Sequence, residues 1–241
     1  MNNSRIISSV VLAVSIAAGG YWIGRGLSMN ARMRQTLEVV GSAKKEIRSD
    51  LGILRTNLYV EHTSAQAAFE ELNRQRPKVM AYFEAKGISA SRVTLHPANL
   101  ITNYQMMPNG MMSNEVRSYA YQQRLEVQSA DVQLIRNISL DLASLIEEGI
   151  NLNLESTDYF YTRLSDLKVQ IQAEAAMDAR KRADKIAEAT GSTLGEMIRA
   201  DMGVLQITPK NSNNISDYGI NDNSSIEKEI TAVVHASFTI D

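Results

Sequence analysis

The stretch VVGSAKKEIRSD, residues Val39–Asp50, decides the fold class of this chain. Its glycine, serine and two lysines resemble a phosphate-binding loop, but a Walker loop needs a second glycine and a Lys-Ser/Thr pair leading into a helix. Here Lys45 is followed by Glu46-Ile47-Arg48, so apolar and polar residues keep alternating. Without a helix N-terminus, neither free amides nor a helix dipole would hold an anion. The pattern predicts a β-strand with solvent-facing lysines and with Gly41 as a bulge or close-packing point.

The same alternation continues beyond this stretch. Two strands are predicted at the start of the domain, over about residues 36–48 and 51–61. Helical spacing of apolar residues then predicts a helix that is capped at Thr63-Ser64 and ends near Gly87. Pro77 is expected to kink or divide that helix, because proline removes a backbone donor and its ring clashes with the preceding turn.

A methionine-rich turn joins the next two strand-like segments, at about residues 92–105 and 116–129. Its Pro-Asn-Gly sequence is turn chemistry and predicts a β-hairpin. The predicted interaction loop consists of four methionines, Met106, Met107, Met111 and Met112. Thioethers suit a pliable apolar contact with another subunit or the membrane, and they also suit Cu(I) or reaction with an oxidant. An ordinary mobile loop is the remaining interpretation.

The second half of the chain predicts two more helices and three more strands. The expected segments are a helix capped by Asp131, a strand over 151–161, an alanine-rich helix over 164–189, and strands over 196–208 and 226–240. Helices separated by hairpins, instead of strict strand–helix alternation, predict an α+β fold. The helices should pack on mostly antiparallel sheets, in one domain or in two subdomains.

An uncharged run, IISSVVLAVSIAAGGYWIG at Ile6–Gly24, precedes the domain. As a helix it would be roughly 28 Å long, close to the hydrocarbon thickness of a bilayer. The run predicts a membrane anchor and connector over residues 1–34, followed by the domain over 35–241. The anchor residues are Ile6, Leu12, Ile16, Tyr21, Trp22 and Ile23. A cleaved signal peptide is the alternative, with a small-residue site at Ser15-Ile16-Ala17.

Charge and composition limit the cellular compartments and the classes of partner that suit this chain. Arginines flank the apolar run on both sides, so positive charge does not select an orientation; an export-type N-terminus would carry the domain outward. The chain has no cysteine, which suits an oxidising compartment. A formal net charge of −2 provides no basic field for nucleic acid. A single-pass membrane protein with its domain carried outward is predicted.

Catalytic chemistry has no local signature in the sequence. His62, His96 and His235 stand apart, without neighbours at the spacing of metal ligands or of a catalytic triad. No catalytic residue, metal site or cofactor is predicted, and the chain is interpreted as non-enzymatic. The alternative is an envelope enzyme whose site is assembled from distant residues, which would place a histidine beside carboxylates.

Several short motifs together resemble the SIMPL domain family of bacterial envelope proteins. They cover about residues 36–241, and each is weak alone while their order is specific. The motifs are Val39-Val40-Gly41 with Ser49-Asp50, Gly87-Ile88, Tyr119-Ala120-Tyr121 leading to Leu125-Glu126-Val127, the alanine-rich helix around Ala175-Ala176-Met177-Asp178-Ala179, and Gly191 with Leu194-Gly195. Family members often carry proline where this chain has Ser49.

The resemblance implies an α+β fold, an exported or membrane-anchored location and no established catalytic residues. It also implies a link to envelope or oxidative stress and a tendency to self-assemble. With this resemblance, we expect a non-enzymatic, single-pass protein of the bacterial inner membrane, with its domain in the periplasm, that acts by binding or as a homo-oligomer. A soft-metal or oxidant-responsive module built on the methionine hairpin is the other hypothesis.

Overall fold

The computed structural model of the chain describes residues 13–24, 36–108 and 110–241. The helices in these residues are α1 (13–24), α2 (Ala65–Ala85), α3 (Val132–Asp141) and α4 (Leu164–Thr190). The strands are β1 (Thr36–Arg48), β2 (Leu51–His62), β3 (Val93–Met106), β4 (Met112–Ser129), β5 (Leu152–Phe160), β6 (Leu194–Met202), β7 (Gln206–Pro209), β8 (Ile220–Asn221) and β9 (Glu227–Ile240). Short 3-10 helices span Ala90–Arg92 and Leu142–Ile146.

The strands form two sheets, and every pairing except that of β7 with β8 is antiparallel. The first sheet has the order β3-β4-β2-β5, and the second has the order β1-β9-β7-β8 with β6 also paired to β9. Helices α2 and α3 pack on the first sheet, and α4 packs on the second. The predicted α+β class with mostly antiparallel sheets is confirmed.

The chain crosses between the two sheets at Ser49-Asp50, so β1 and β2 are consecutive without pairing with each other. The amide of buried Ser49 donates to the carbonyl of Ile226 at 2.9 Å, and the amide of Asp50 donates to Phe160 at 2.8 Å. The carboxylate of Asp50 accepts from the amide of Thr162 at 2.7 Å and from its hydroxyl at 3.0 Å. These bonds tie the crossing point to both sheets.

Each sheet has its own core. Leu54, Leu58, Leu72, Phe83 and Ile135 belong to a buried cluster between the first sheet and helices α2 and α3. The core of the second sheet is lined on its helical side mostly by alanine. It includes Ile171, Ala175, Ala179 and Ala183 of α4, packed against Val39, Ile230, Ala232, Val234 and Phe238. Small side chains let the helix lie close to the strands.

Gly41 is a close-packing point. All thirteen residues of β1 pair with β9 without a register shift, so the bulge considered for Gly41 is wrong. A Cβ at Gly41 would lie 2.6 Å from the Cβ of Ala179 on α4. Lys44 lies on the outer face and pairs with Glu229 at 2.5 Å, whereas Lys45 donates to Gln170 of α4 at 3.2 Å.

Two of the predicted elements differ from the structure. Pro77 lies inside the single helix α2 and does not divide it; its position is exposed, so the carbonyl that loses a partner can bond to water. The strand predicted over residues 196–208 is two strands, β6 and β7. Gly203 lies in the break and donates to the carbonyl of Val233 at 2.9 Å, so β6 and β7 pair with separate parts of β9.

Part of the predicted anchor lies in α1. Ile16, Tyr21, Trp22 and Ile23 are exposed there, whereas Ile6 and Leu12 lie outside the described residues. The rings of Tyr21 and Trp22 meet edge to face, with their centroids 6.3 Å apart. Among the helices described, none combines the length and apolarity needed to cross a membrane. The transmembrane helix is thus not supported by the structure and stays a prediction.

Candidate functional site at the β3–β4 hairpin

The β3–β4 hairpin is the predicted hairpin, and it places one of its strands at an edge. β3 pairs with β4 from Val93 to Met106, and β4 pairs with β2 on its other side. β3 is therefore the edge strand of the first sheet, and its outer backbone groups have no neighbouring strand among the described residues. An edge of this kind can accept a further strand.

One face of this hairpin is apolar and exposed. Directly paired residues lie on the same face of a sheet, and alternate residues along a strand share it. Tyr121 packs against the first core and pairs with Leu100, so the face it lies on is the one that α2 covers. Closer to the turn, the pairs Tyr104–Val116 and Met106–Met112 continue the same face.

We call this surface the hairpin face and define it by five exposed residues. These are Leu100 (48% exposed), Tyr104 (41%), Met106 (73%), Met112 (70%) and Val116 (39%). Phe69 of α2 contacts the ring of Tyr121 with centroids 5.3 Å apart; Leu100 pairs with Tyr121, and the other four residues lie nearer the turn. None of the paired positions on this face between Leu100 and Met106 carries a charge. Contiguous exposed apolar surface of this kind marks interaction sites.

The turn at the tip is closed by backbone hydrogen bonds. The amide of Met107 donates to the carbonyl of Met111 at 2.8 Å, and that of Gly110 donates to Met107 at 2.9 Å. Gly110 has φ +80°, a conformation that glycine adopts without strain. Met106, Met107, Met111 and Met112 are all exposed. The structure thus brings the four predicted loop residues together at one tip.

The opposite face of the first sheet carries a charge network around Arg55. Its guanidinium donates to Glu126 of β4 at 3.0 Å and also binds Asp158 of β5, so it links three strands. Gln128 donates to Glu126 at 2.7 Å. This bond, then those from Arg55, hold the pKa of Glu126 below its usual range although partial burial opposes them.

His96 lies close enough to this network for its charge to lower the pKa of Glu126 further. Its ring Nε2 is buried and makes no hydrogen bond in the described structure. The neighbouring carboxylate of Glu126 is bound by Arg55, whereas Asp158 lies on β5, with β4 and β2 between it and β3. The ion pairs of Arg55 join β2 to β4 and to β5.

His235 lies in a shallow recess of about 560 Å³ on the outer face of the second sheet. Glu38, Arg199 and Asp201 line the same recess. Arg199 and Asp201 pair at 2.5 Å, and this contact, with a smaller contribution from Glu38, raises the pKa of the guanidinium. A histidine and two carboxylates border this recess, but no hydrogen bond within the described residues joins the ring of His235 to either carboxylate.

Metal ligation by hard or borderline donors has no site in the described part of the chain. No three histidine, aspartate or glutamate side chains there are grouped so that they could hold an ion. His62 lies apart from the other two histidines and contacts only the neighbouring Thr63 hydroxyl, at 3.3 Å.

The buried amine of Lys228 is a polar group that the sequence does not predict. Its Nζ donates to the carbonyl of Tyr159 at 2.6 Å and to that of Asp222. Desolvation lowers the pKa of Lys228, against the opposing charges of Asp222 and Asp158. The surrounding sequence, Glu227-Lys228-Glu229, is typical of a solvated strand, so no local signal marks this lysine. Together with the Arg55 network, it is a polar centre that only the packing reveals.

Comparison with known families agrees with the fold. A family model described as SIMPL, a protein of unknown function (DUF541), matches residues 37–238. The match covers β1 through nearly all of β9, including the hairpin and α4. The resemblance predicted from the short motifs is confirmed. No curated protein matches the chain.

Proposed function

The chain belongs to the SIMPL family, and from that premise we propose that it is a membrane-tethered protein of the bacterial envelope that works by self-association. The hairpin face carries this proposal. It is uncharged at its paired positions, exposed, and continuous from Leu100 to the tip. Burying such a face releases about 25 cal/mol for each Å² of apolar surface removed from water.

A second copy of the chain is the occupant that this surface fits. The hairpin face adjoins the edge strand β3, which runs over Val93–Met106. Two copies related by a two-fold axis could pair β3 with β3 in antiparallel fashion, extending the first sheet across both molecules. The same arrangement would place the two hairpin faces side by side. The free backbone groups of β3 would then form hydrogen bonds, and the apolar side chains would be buried in the same contact.

Binding is favoured over catalysis because a carboxylate near each of His96 and His235 is already engaged in an ion pair. Arg55 engages the Glu126 carboxylate near His96, and Arg199 engages the Asp201 carboxylate near His235. A general base must be free to take a proton from a substrate. The recess at His235 also lies on an open sheet face, where water is not excluded.

Tethering is supported by the uncharged run Ile6–Gly24 and by the exposed aromatic pair Tyr21 and Trp22 within α1. Such a pair suits the boundary between lipid and water. The setting we propose is the inner membrane, with residues 36–241 in the periplasm and with a role in envelope or oxidative stress.

Self-association is tested by mass photometry of the full chain in detergent. Tyr104→Glu puts a charge in the hairpin face and should leave monomers where the wild type forms dimers or larger species. Tyr218→Glu is the matched control, because Tyr218 is 97% exposed on a loop outside the hairpin. A wild type that stays monomeric at every concentration, or an equal response of both variants, would contradict the proposal.

Tethering has its own test in cells. Fractionation should place the full chain with the inner membrane, and external protease should digest the domain only after the outer membrane is opened. Intact mass of the purified protein distinguishes a retained anchor from a cleaved signal. Recovery of a shortened chain in the soluble periplasmic fraction would refute the anchor and leave self-association untouched.

A further inference from the structure

Thioether sulfur is concentrated at the hairpin tip. The chain has 11 methionines, and four of them fall within seven residues, Met106 to Met112. Methionine usually fills gaps in a core, but these four side chains are exposed and fill none. Sulfur is a soft ligand, and among biological metals it selects Cu(I).

The register of the hairpin sets two of these sulfurs against each other. Met106 and Met112 are direct cross-strand partners. Side chains in that relation leave the same face with Cβ atoms about 5 Å apart. Each methionine has three rotatable bonds, so both thioethers can turn toward one ion held between the strands. Two opposed thioether sulfurs are enough to coordinate a cation of low coordination number.

The remaining pair lies one step nearer the turn. The hydrogen bond from Met107 to Met111 holds their backbones together at 2.8 Å. Met107 and Met111 therefore lie at the same tip as the Met106–Met112 pair, each adjacent in sequence to one of its members.

Carboxylate, imidazole and thiolate ligands are absent from this segment. Residues 104–114 read YQMMPNGMMSN, without histidine, aspartate, glutamate or cysteine. Divalent zinc, calcium and magnesium need such nitrogen, oxygen or thiolate donors. The donor set therefore selects a soft monovalent cation.

We propose that the tip of the β3–β4 hairpin binds one Cu(I) ion, with Met106 and Met112 as its principal ligands. The site goes beyond self-association, because it depends on sulfur and not on apolar area. Replacing methionine by leucine keeps the area and removes the sulfur, so the two properties can be separated.

The test is titration of the full chain in detergent with Ag(I), a redox-stable stand-in for Cu(I), in chloride-free buffer. Calorimetry and native mass spectrometry should show one equivalent bound. The double variant Met106→Leu/Met112→Leu should bind at least about tenfold more weakly, since even outer-shell partners commonly contribute that much to metal affinity. Zn(II) should not bind at the tip.

The matched control is Met177→Leu/Met202→Leu, which removes two exposed thioethers from α4 and β6. It should bind Ag(I) as the wild type does. No stoichiometric binding by the wild type, or equal weakening in both double variants, would overturn the proposal. Mass photometry of Met106→Leu/Met112→Leu should still show wild-type association, so failure of the metal site and failure of self-association are distinguishable.

Discussion

Gly41 of β1 lies directly against Ala179 of α4, with no space between them for a side chain. A Cβ added at Gly41 would meet the backbone of α4 at Ala175 and Ala179 as well as the Cβ of Ala179, which would lie 2.6 Å away. Contacts this short cannot be relieved by rotating a side chain. The short distance between β1 and α4 in the second core therefore depends on the absence of a side chain at Gly41.

Gly41→Ala is accordingly expected to destabilise the domain. Either α4 or β1 must move, and overpacking of this kind costs about 1–3 kcal/mol. Chemical denaturation followed by circular dichroism measures the loss. Gly20→Ala is the control, since a Cβ at Gly20 meets nothing within 4 Å. A Gly41→Ala variant as stable as the wild type would show that the helix is not held at this distance.

Asp178→Ala should weaken the edge of β1 in a pH-dependent way. The carboxylate accepts from the amide of Ser42 at 2.9 Å and from Arg182 at 2.7 Å. These bonds, that from Ser42 first, lower the pKa of Asp178. Its contribution is therefore present above the ordinary carboxyl range and lost as the pH falls through the lowered value.

The wild type should exceed Asp178→Ala in unfolding free energy at pH 7, by less than about 1 kcal/mol because the pair is partly exposed. The difference should shrink as the pH falls below the ordinary carboxyl range and disappear once the folded carboxyl group is protonated as well. Asp184→Ala, on the same helix, serves as the control. A difference that persists in acid would assign the effect to something other than the ionised carboxylate.

Asp50→Ala should loosen the crossing between the sheets. Both carboxylate oxygens are used by Thr162, whose amide and hydroxyl would lose their acceptors. We expect a loss of about 1–3 kcal/mol in unfolding free energy. Asp50→Asn keeps one acceptor oxygen and should recover part of that loss. Asp217→Ala, at an exposed loop position, should change little.

Lys228 should make stability rise with pH in the alkaline range. Its pKa in the folded protein lies below the ordinary 10.5 because the amine is desolvated. Between the two values the unfolded chain binds more protons, so unfolding free energy increases with pH there and this contribution is flat below it. Urea denaturation of the wild type and Lys228→Met across that range measures the effect. Equal slopes for the two proteins would contradict it.

The tip of the hairpin shows how far sequence predicts the candidate site. Pro-Asn-Gly between alternating segments was enough to predict the turn, and the four methionines were identified from composition alone. Their pairing and exposure were not predictable, because the bulge between Tyr104 and Met106 sets which residues face each other. Whether the face is covered depends on the position of α2, a separate element.

Local chemistry determined the element ends by itself. Gly191 takes φ +72° at the end of α4, and Ser64 and Asp131 cap α2 and α3 through side-chain oxygens. Each of these features depends on neighbours within about four residues along the chain, and such interactions can be predicted from the sequence.

Only the tertiary structure decided the passage of the chain at Ser49-Asp50 from one sheet to the other, the burial of Lys228 and the exposure of the hairpin face. The bonds that Lys228 donates to Tyr159 and that Thr162 donates to Asp50 join residues 69 and 112 positions apart. The free energy of such contacts depends on the packing of whole elements. No residue pattern within one strand or helix can specify these long-range contacts.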